Sequence, residues 1–300
     1  MASRSEPTRW RALVTGLDGF TGRYARLELE GAGFEVFGLR HEIDGGTQEV
    51  DLLDRARVHD KVAAIAPDVV LHLAGIAFVA HGDIESIYRT NVIGTRNLLD
   101  ALASLPTIPG AVVLASSANV YGNSVTGLIP ESQPPAPASD YAVSKLAMEH
   151  MARLWMDRLP ITLARPFNYT GVGQSLQFVV PKIVDHFRRR ESFIELGNVE
   201  VARDFSDVRD IARCYRRLIE VSPTGECVNL CSGHAYALAD VIAELEHLAG
   251  YRIEIRVNPE FVRASEVIRL AGDPARLEQL TQTKPAIPLR DTLTWMYHAP

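Results

Sequence analysis

Three cysteines in 300 residues, Cys214, Cys227 and Cys231, are too few for a disulfide framework and include no Cys-x-x-Cys pair. That excludes a small disulfide-stapled secreted domain and leaves buried thiols in a reducing compartment as the expectation. The nine histidines form no His-Glu-x-x-His and no Cys/His cluster at ligand spacing, so no metal centre is expected. His72, on an apolar strand, reads as a satisfied core residue. Gly-x-Ser-x-Gly is missing too, which argues against an α/β-hydrolase. Met1 to Trp10 is polar without an apolar stretch of signal-peptide length, and no later run approaches a membrane span, so the expected location is the cytoplasm. Basic charge is not in excess. A formal net charge of −6 argues against a broad nucleic-acid surface and leaves anionic ligands to local arginines. The Arg188-Arg189-Arg190 run reads as a solvated helix end.

The chain has enough apolar content, 47% hydrophobic residues, for a sizeable core and one or two domains. Short β-rich runs at Glu35–Leu39, Val69–Leu73, Ala111–Ser116 and Ile161–Ala164 alternate with helical periodicity at Arg55–Ala66, Ile84–Ser104 and Tyr141–Arg158. This alternation predicts an α/β fold, a doubly wound parallel Rossmann-type sheet with helices on both faces and ligands at the carboxyl ends of the strands. From about Arg165 the alternation breaks down, with turn signals at Gly171, Gly173 and Gly197 and prolines at Pro259, Pro274, Pro285 and Pro288. The expected organisation is a Rossmann domain over 1–165 and a smaller, loop-rich lobe over 166–300, with about 205–230 returning to the first sheet.

Two local patterns carry chemistry. Ala12-Leu13-Val14-Thr15 reads as a strand running into Gly16-Leu17-Asp18-Gly19-Phe20-Thr21-Gly22 and then a helix. Gly16 permits a tight turn, Gly19 lets the backbone approach a pyrophosphate, and Gly22 lets the helix pack closely on the sheet, with the phosphates at the helix N-terminus. In Tyr141-Ala142-Val143-Ser144-Lys145 a phenol and an ammonium stand four apart at the start of a helix and so share one face. A nearby cation favours phenolate and makes the Tyr a usable acid/base near neutral pH.

With Asp51-Leu52, Leu73-Ala74-Gly75, Asn91-Val92-Ile93-Gly94-Thr95, Ser116-Ser117-Ala118-Asn119-Val120-Tyr121-Gly122 and Arg165-Pro166-Phe167-Asn168 in order along the chain, the sequence resembles the extended short-chain dehydrogenase/reductase family over nearly its whole length. The resemblance implies Tyr141 as proton donor or acceptor, Lys145 as its tuner and a binder of the nicotinamide ribose, and Ser117 as the hydrogen-bond partner of the reacting oxygen. It implies cofactor contacts from Gly16, Gly19, Phe20, Thr21, Gly22, Asp51, Leu52, Leu73, Ala74, Gly75, Asn91 and Pro166. Negative charge develops on a ketone oxygen as hydride reaches its carbon, so a proton source and a positioned donor suit that reaction. At the end of the second strand Leu39 and Arg40 stand where an NAD site usually places an acid, so NADPH is expected over NADH, with Arg40 on the 2′-phosphate.

Within the family, 4,6-dehydratases carry acids where this chain has Ala118 and Asn119, and fucose-synthase-like epimerase/reductases use a Cys and His pair that has no counterpart near these motifs. The second half is similar to the branch that reduces GDP-4-keto-6-deoxy sugars, which implies substrate contacts from Ser117, Ala118, Asn119, Asn168, Val180, Lys182, Arg203, Arg263 and Glu266. Arginines can clamp phosphate oxygens and a carboxylate can accept from ribose hydroxyls. The expected activity is reduction of a GDP-4-keto-6-deoxyhexose to GDP-D-rhamnose, in a homodimer. The alternatives are GDP-6-deoxy-D-talose as product, a nucleotide-sugar C4 epimerase, or a non-enzymatic NADP-sensing regulator, the last disfavoured by an intact Tyr141/Lys145 pair.

Overall fold

The computed structural model describes residues 9–43, 46–77, 83–123, 127–259 and 269–300, those at 40–43 and 46–48 by their backbone alone. Two compact units divide the chain. One comprises Met1–Ser116, Ser139–Ala164 and Tyr215–Cys227, the other Ser117–Ala138, Arg165–Cys214 and Val228–Pro300.

The first unit is a parallel sheet with flanking helices, a Rossmann-type fold. Strands β1 (Arg11–Thr15), β2 (Glu35–Phe37), β5 (Val69–His72) and β6 (Ala111–Ala115) lie in the order β2-β1-β5-β6, followed by the strand Ile161–Pro166. A short antiparallel hairpin, β3 (Arg40–Ile43) and β4 (Gly46–Glu49), is inserted after β2. Every residue of β5 and β6 is buried, which is why these strands read as unbroken apolar runs instead of alternating ones. At the far edge Leu163 N donates to Glu226 O at 2.9 Å, so the segment leading into the strand Cys227–Leu230 runs alongside.

Helices α1 (Phe20–Gly31), α2 (Arg55–Ile65), α3 (Ile84–Tyr88), α4 (Thr95–Ala103) and α5 (Asp140–Arg153) cover the sheet. Val58 and Val62 of α2, Leu98 and Leu102 of α4 and Met148 of α5 share one core cluster with Leu13, Val70, Val112 and Leu163 of the strands. Each such side chain contributes about 1.5–3 kcal/mol by leaving water. The helix expected over Ile84–Ser104 is interrupted: Arg89–Gly94 forms a π-turn between α3 and α4.

The second unit is not the loop-rich lobe that its prolines and glycines suggest. Helices Val179–Arg188, Leu238–Ala249 and Leu289–His298 pack through Ile183, Phe187, Val241, Leu245 and Leu293 against Ile194 of the strand Phe193–Leu196. The helical period at 179–188 was masked by Pro181, which sits in the first turn, where a missing N–H costs nothing. The three arginines at its end are engaged: Arg188 donates to Ala299 O, Arg189 pairs with Asp185, and Arg190 stacks over Tyr251. Cys214 and Cys231 are buried free thiols, and burial pushes the Cys231 thiol up. Among the described residues no helix is long and apolar enough to cross a membrane.

Candidate active site

Strand order reverses at β1, with β2 on one side and β5 on the other, and the crevice outside the carboxyl ends of β1 and β5 is where such sheets bind ligands. A cavity of about 320 Å³ lies there, lined by Thr15 at the end of β1, Gly16 and Gly19 after it, and Leu73, Ala74 and Gly75 after β5. Gly19 caps α1 with extended backbone and no side-chain hydrogen bond, and the positive end of a helix dipole favours an anion. The helix can sit this close only because residue 22 is glycine: a Cβ there would lie 2.1 Å from Gly16 O. These residues fit a dinucleotide, because the glycines let the start of the helix stand close to the cavity.

Asp51 and Leu52 follow the hairpin. Leu52 lines the cavity, whereas Asp51 is exposed and its carboxylate accepts from Leu53 N at 2.9 Å. Arg40 opens β3, and its side chain lies outside the described residues. No sequence pattern points to Glu49. From the end of β4 its Oε1 accepts from Gly16 N at 2.8 Å, which adds a carboxylate to the cavity wall.

Beneath the turn runs a buried hydrogen-bond chain. Thr95 Oγ1 donates to Asn91 O at 2.8 Å, so it accepts from His72 Nε2 at 2.8 Å. His72 Nδ1 then accepts from Thr15 Oγ1 at 2.7 Å, and Thr15 in turn accepts from Ala74 N at 3.1 Å. Burial, helped by the charge of Lys145, lowers His72 to about 3, so the ring is neutral. It is the satisfied core histidine expected from its strand, and it ties the phosphate turn after β1 to the loop after β5.

The π-turn turns Asn91 fully inward. Its Oδ1 accepts from Ile76 N at 2.8 Å, and its Nδ2 donates to Ile76 O and to Ser144 Oγ, which donates to Tyr141 O at 2.7 Å. Asn91 thus splints the loop after β5 to the first turn of α5, where Ser139 Oγ caps by accepting from Ala142 N. Tyr141 is half-buried at the start of that helix. One turn on, the buried Lys145 Nζ donates to Ala115 O at 2.9 Å, at the end of β6. Burial lowers Lys145 to about 8, with the Glu149 carboxylate opposing the shift. Gly75 makes room for it: a Cβ there would lie 3.0 Å from Nζ and 2.9 Å from Asn91 Oδ1.

In the second unit Ser117 is 8% exposed and caps the short 3₁₀ turn Ala118–Tyr121, its Oγ accepting from Asn119 N at 3.2 Å. Ala118 is buried, and Asn119 is exposed and offers no carboxyl group. Arg165, buried, donates to Tyr121 Oη at 3.0 Å, and Tyr121 donates to Asn229 Oδ1 at 2.7 Å, so the Arg of the Arg-Pro-Phe-Asn motif is an internal strut. Pro166 ends its strand buried, and Asn168, two residues on, is exposed. Arg203 is half-buried and donates to Ala202 O. Two expected substrate contacts face elsewhere. Val180 packs in the helical core at 2% exposure, and Lys182 Nζ donates to Glu195 O at 2.8 Å. Arg263 and Glu266 lie outside the described residues.

Comparison with known proteins agrees with this geometry. The chain is 35% identical over 89% of its length to GDP-6-deoxy-D-talose 4-dehydrogenase of Aggregatibacter actinomycetemcomitans, covering 90% of that protein. It is 33% identical to GDP-6-deoxy-D-mannose reductase of Pseudomonas aeruginosa, over 94% of each chain. The solved structure of RMD from Pseudomonas aeruginosa complexed with NADPH superposes with a TM-score of 0.87 at 32% identity, covering 96% of this chain and 97% of that one. The profile of the NAD dependent epimerase/dehydratase family matches residues 12–231. The chain belongs to the NAD dependent epimerase/dehydratase family, the extended short-chain dehydrogenase/reductases.

Proposed function

We propose that this protein reduces the C4 ketone of a GDP-4-keto-6-deoxyhexose with NADPH, giving GDP-D-rhamnose. The observation that carries the reading is that the two relatives matched over 89% and 94% of this chain are both named for redox chemistry on a GDP-6-deoxyhexose. The bound nicotinamide supplies the hydride. Tyr141 gives its phenolic proton to the C4 oxygen, Ser117 donates a hydrogen bond to that oxygen, and Lys145, charged below about pH 8, stabilises the phenolate left on Tyr141. Residues 1–165, with about 205–230, hold the cofactor. Residues 166–300 hold the nucleotide sugar, with Asn168 and Arg203 toward the diphosphate and Arg263 and Glu266 toward phosphate and ribose. The GDP-6-deoxy-D-talose product is the second reading, favoured by the name of the first relative. The enzyme works in the cytoplasm as a homodimer, in which a second copy covers exposed apolar residues such as Ile93 and Val143, 47% and 39% exposed.

Because Ala118 and Asn119 cannot protonate a leaving hydroxyl, GDP-mannose should bind without being dehydrated, while the 4-keto-6-deoxy sugar should drive NADPH oxidation. A 4-keto-6-deoxy product formed from GDP-mannose by this protein alone would refute the choice of reaction.

Cofactor preference is set by two opposed groups. A guanidinium from Arg40 on the 2′-phosphate contributes about 1.5–3 kcal/mol, a preference of order tenfold to a hundredfold for NADPH. Glu49 accepts from Gly16 N beside the cavity, where a carboxylate would accept from ribose hydroxyls and repel a phosphate. Arg40→Ala should therefore lower the ratio of kcat/KM for NADPH over NADH, and Glu49→Gln should raise it. Equal or better kcat/KM with NADH in the unaltered enzyme, or a ratio unmoved by Arg40→Ala, would show that Arg40 does not read the phosphate.

A further inference from the structure

Helix α5 is fastened to the end of β6 at two successive residues. Lys145 Nζ donates to Ala115 O at 2.9 Å, and one helical turn later Glu149 Oε1 accepts from Ser116 Oγ at 2.6 Å. Both side chains are buried, Lys145 at 6% and Glu149 at 1% exposure. The next residue along the chain is Ser117. The proposed reaction gives work to Tyr141, Lys145 and Ser117 and leaves Glu149 without any.

A buried carboxylate is costly, and holding a serine hydroxyl does not require one, since an amide oxygen accepts the same bond. What the carboxylate adds is a negative charge one turn from Lys145. The other groups about that ammonium do not supply it: His72 on β5 is neutral, Asn91 and Ser144 are uncharged, and Tyr141 is the group it serves. We infer that Glu149 is a positioning residue for the reduction, keeping Lys145 charged in its buried place and fixing the last residue before Ser117. This rests on the reductase reading for its purpose, although the effect on Lys145 does not need a substrate. The shift of Lys145 agrees in sign, burial lowering it to about 8 while Glu149 opposes the fall. Without the carboxylate charge, Lys145 would lose its proton at lower pH.

Two variants separate charge from hydrogen bond. Glu149→Gln keeps an acceptor for Ser116 and removes the charge, whereas Ser116→Ala removes the bond and keeps the charge. The chain has four lysines, Lys61, Lys145, Lys182 and Lys284, so ¹³C-lysine labelling gives a sparse NMR spectrum in which Lys145→Arg identifies the resonance. The Lys145 titration midpoint should fall by about one pH unit or more in Glu149→Gln, as expected for a lost neighbouring charge, and stay in place in Ser116→Ala. The alkaline limb of kcat/KM should move down with it, a loss of about fivefold at the wild-type midpoint for a fall of about one unit. An unmoved midpoint in folded Glu149→Gln overturns the inference. If that variant does not fold, Glu149→Asp, which draws the charge back by one methylene, should show a smaller fall in the same direction, and no fall there also overturns it. Wild-type enzyme that does not reduce the keto sugar refutes the reductase reading alone, because the lysine titration is read without substrate.

Discussion

Replacing Tyr141 by Phe, or Lys145 by Met, is expected to lower reductase turnover by about 10²–10⁴-fold while the protein stays folded, the usual worth of a positioned general acid. Tyr141 is only half-buried at the capped start of α5, so losing its hydroxyl leaves the helix and its Ser139 cap untouched. Lys145→Met keeps an unbranched side chain, one atom shorter, in the buried slot and removes the charge and the bond to Ala115 O. Circular dichroism and a thermal melt check the fold, and steady-state kinetics check the chemistry. Near-wild-type turnover in either folded variant would remove that residue from the mechanism.

The second large effect lies at the phosphate turn. Gly22→Ala would put a methyl group 2.1 Å from Gly16 O and 2.6 Å from Leu17 O, backbone atoms that cannot swing aside. Helix α1 has to move off the turn, at a cost of about 1–3 kcal/mol for an overpacked site, and the amides at its N-terminus move with it. Cofactor affinity should fall by at least about tenfold, read by NADPH fluorescence titration. Gly31→Ala at the other end of α1 is the control, since a Cβ there meets nothing within 4 Å and should leave affinity unchanged. Equal Kd values for Gly22→Ala and the unaltered protein would mean that the turn does not hold the pyrophosphate.

Where sequence periodicity and side-chain type decide structure, the fold and site could be read ahead. The apolar runs of β5 and β6, the glycine turn and the Tyr141/Lys145 spacing each depend on near neighbours only. Features that failed to show depend on distant partners or on one extra residue in a helical turn. The π-turn at Arg89–Gly94 leaves the apolar pattern of Ile84–Ser104 looking like one helix, yet it is what turns Asn91 inward. Glu49 gained its place through a hairpin that brings it back to Gly16, 33 positions away in the chain. Glu149 reads as the polar face of an amphipathic helix because charged residues are rarely fully buried; only its distant partner Ser116 reveals otherwise. Val180 is implied as a substrate contact by family resemblance alone, and the helix Val179–Arg188 carries it into the core.

The most direct test of the proposed activity is to incubate the protein with NADPH and GDP-4-keto-6-deoxymannose and to determine the C4 configuration of the product by NMR. Stoichiometric NADPH oxidation with H4 axial, hence large couplings to both H3 and H5, is the expected result and identifies GDP-D-rhamnose. Small H4 couplings would identify GDP-6-deoxy-D-talose and contradict the assigned face of hydride delivery, and no NADPH oxidation at all would contradict the reductase itself.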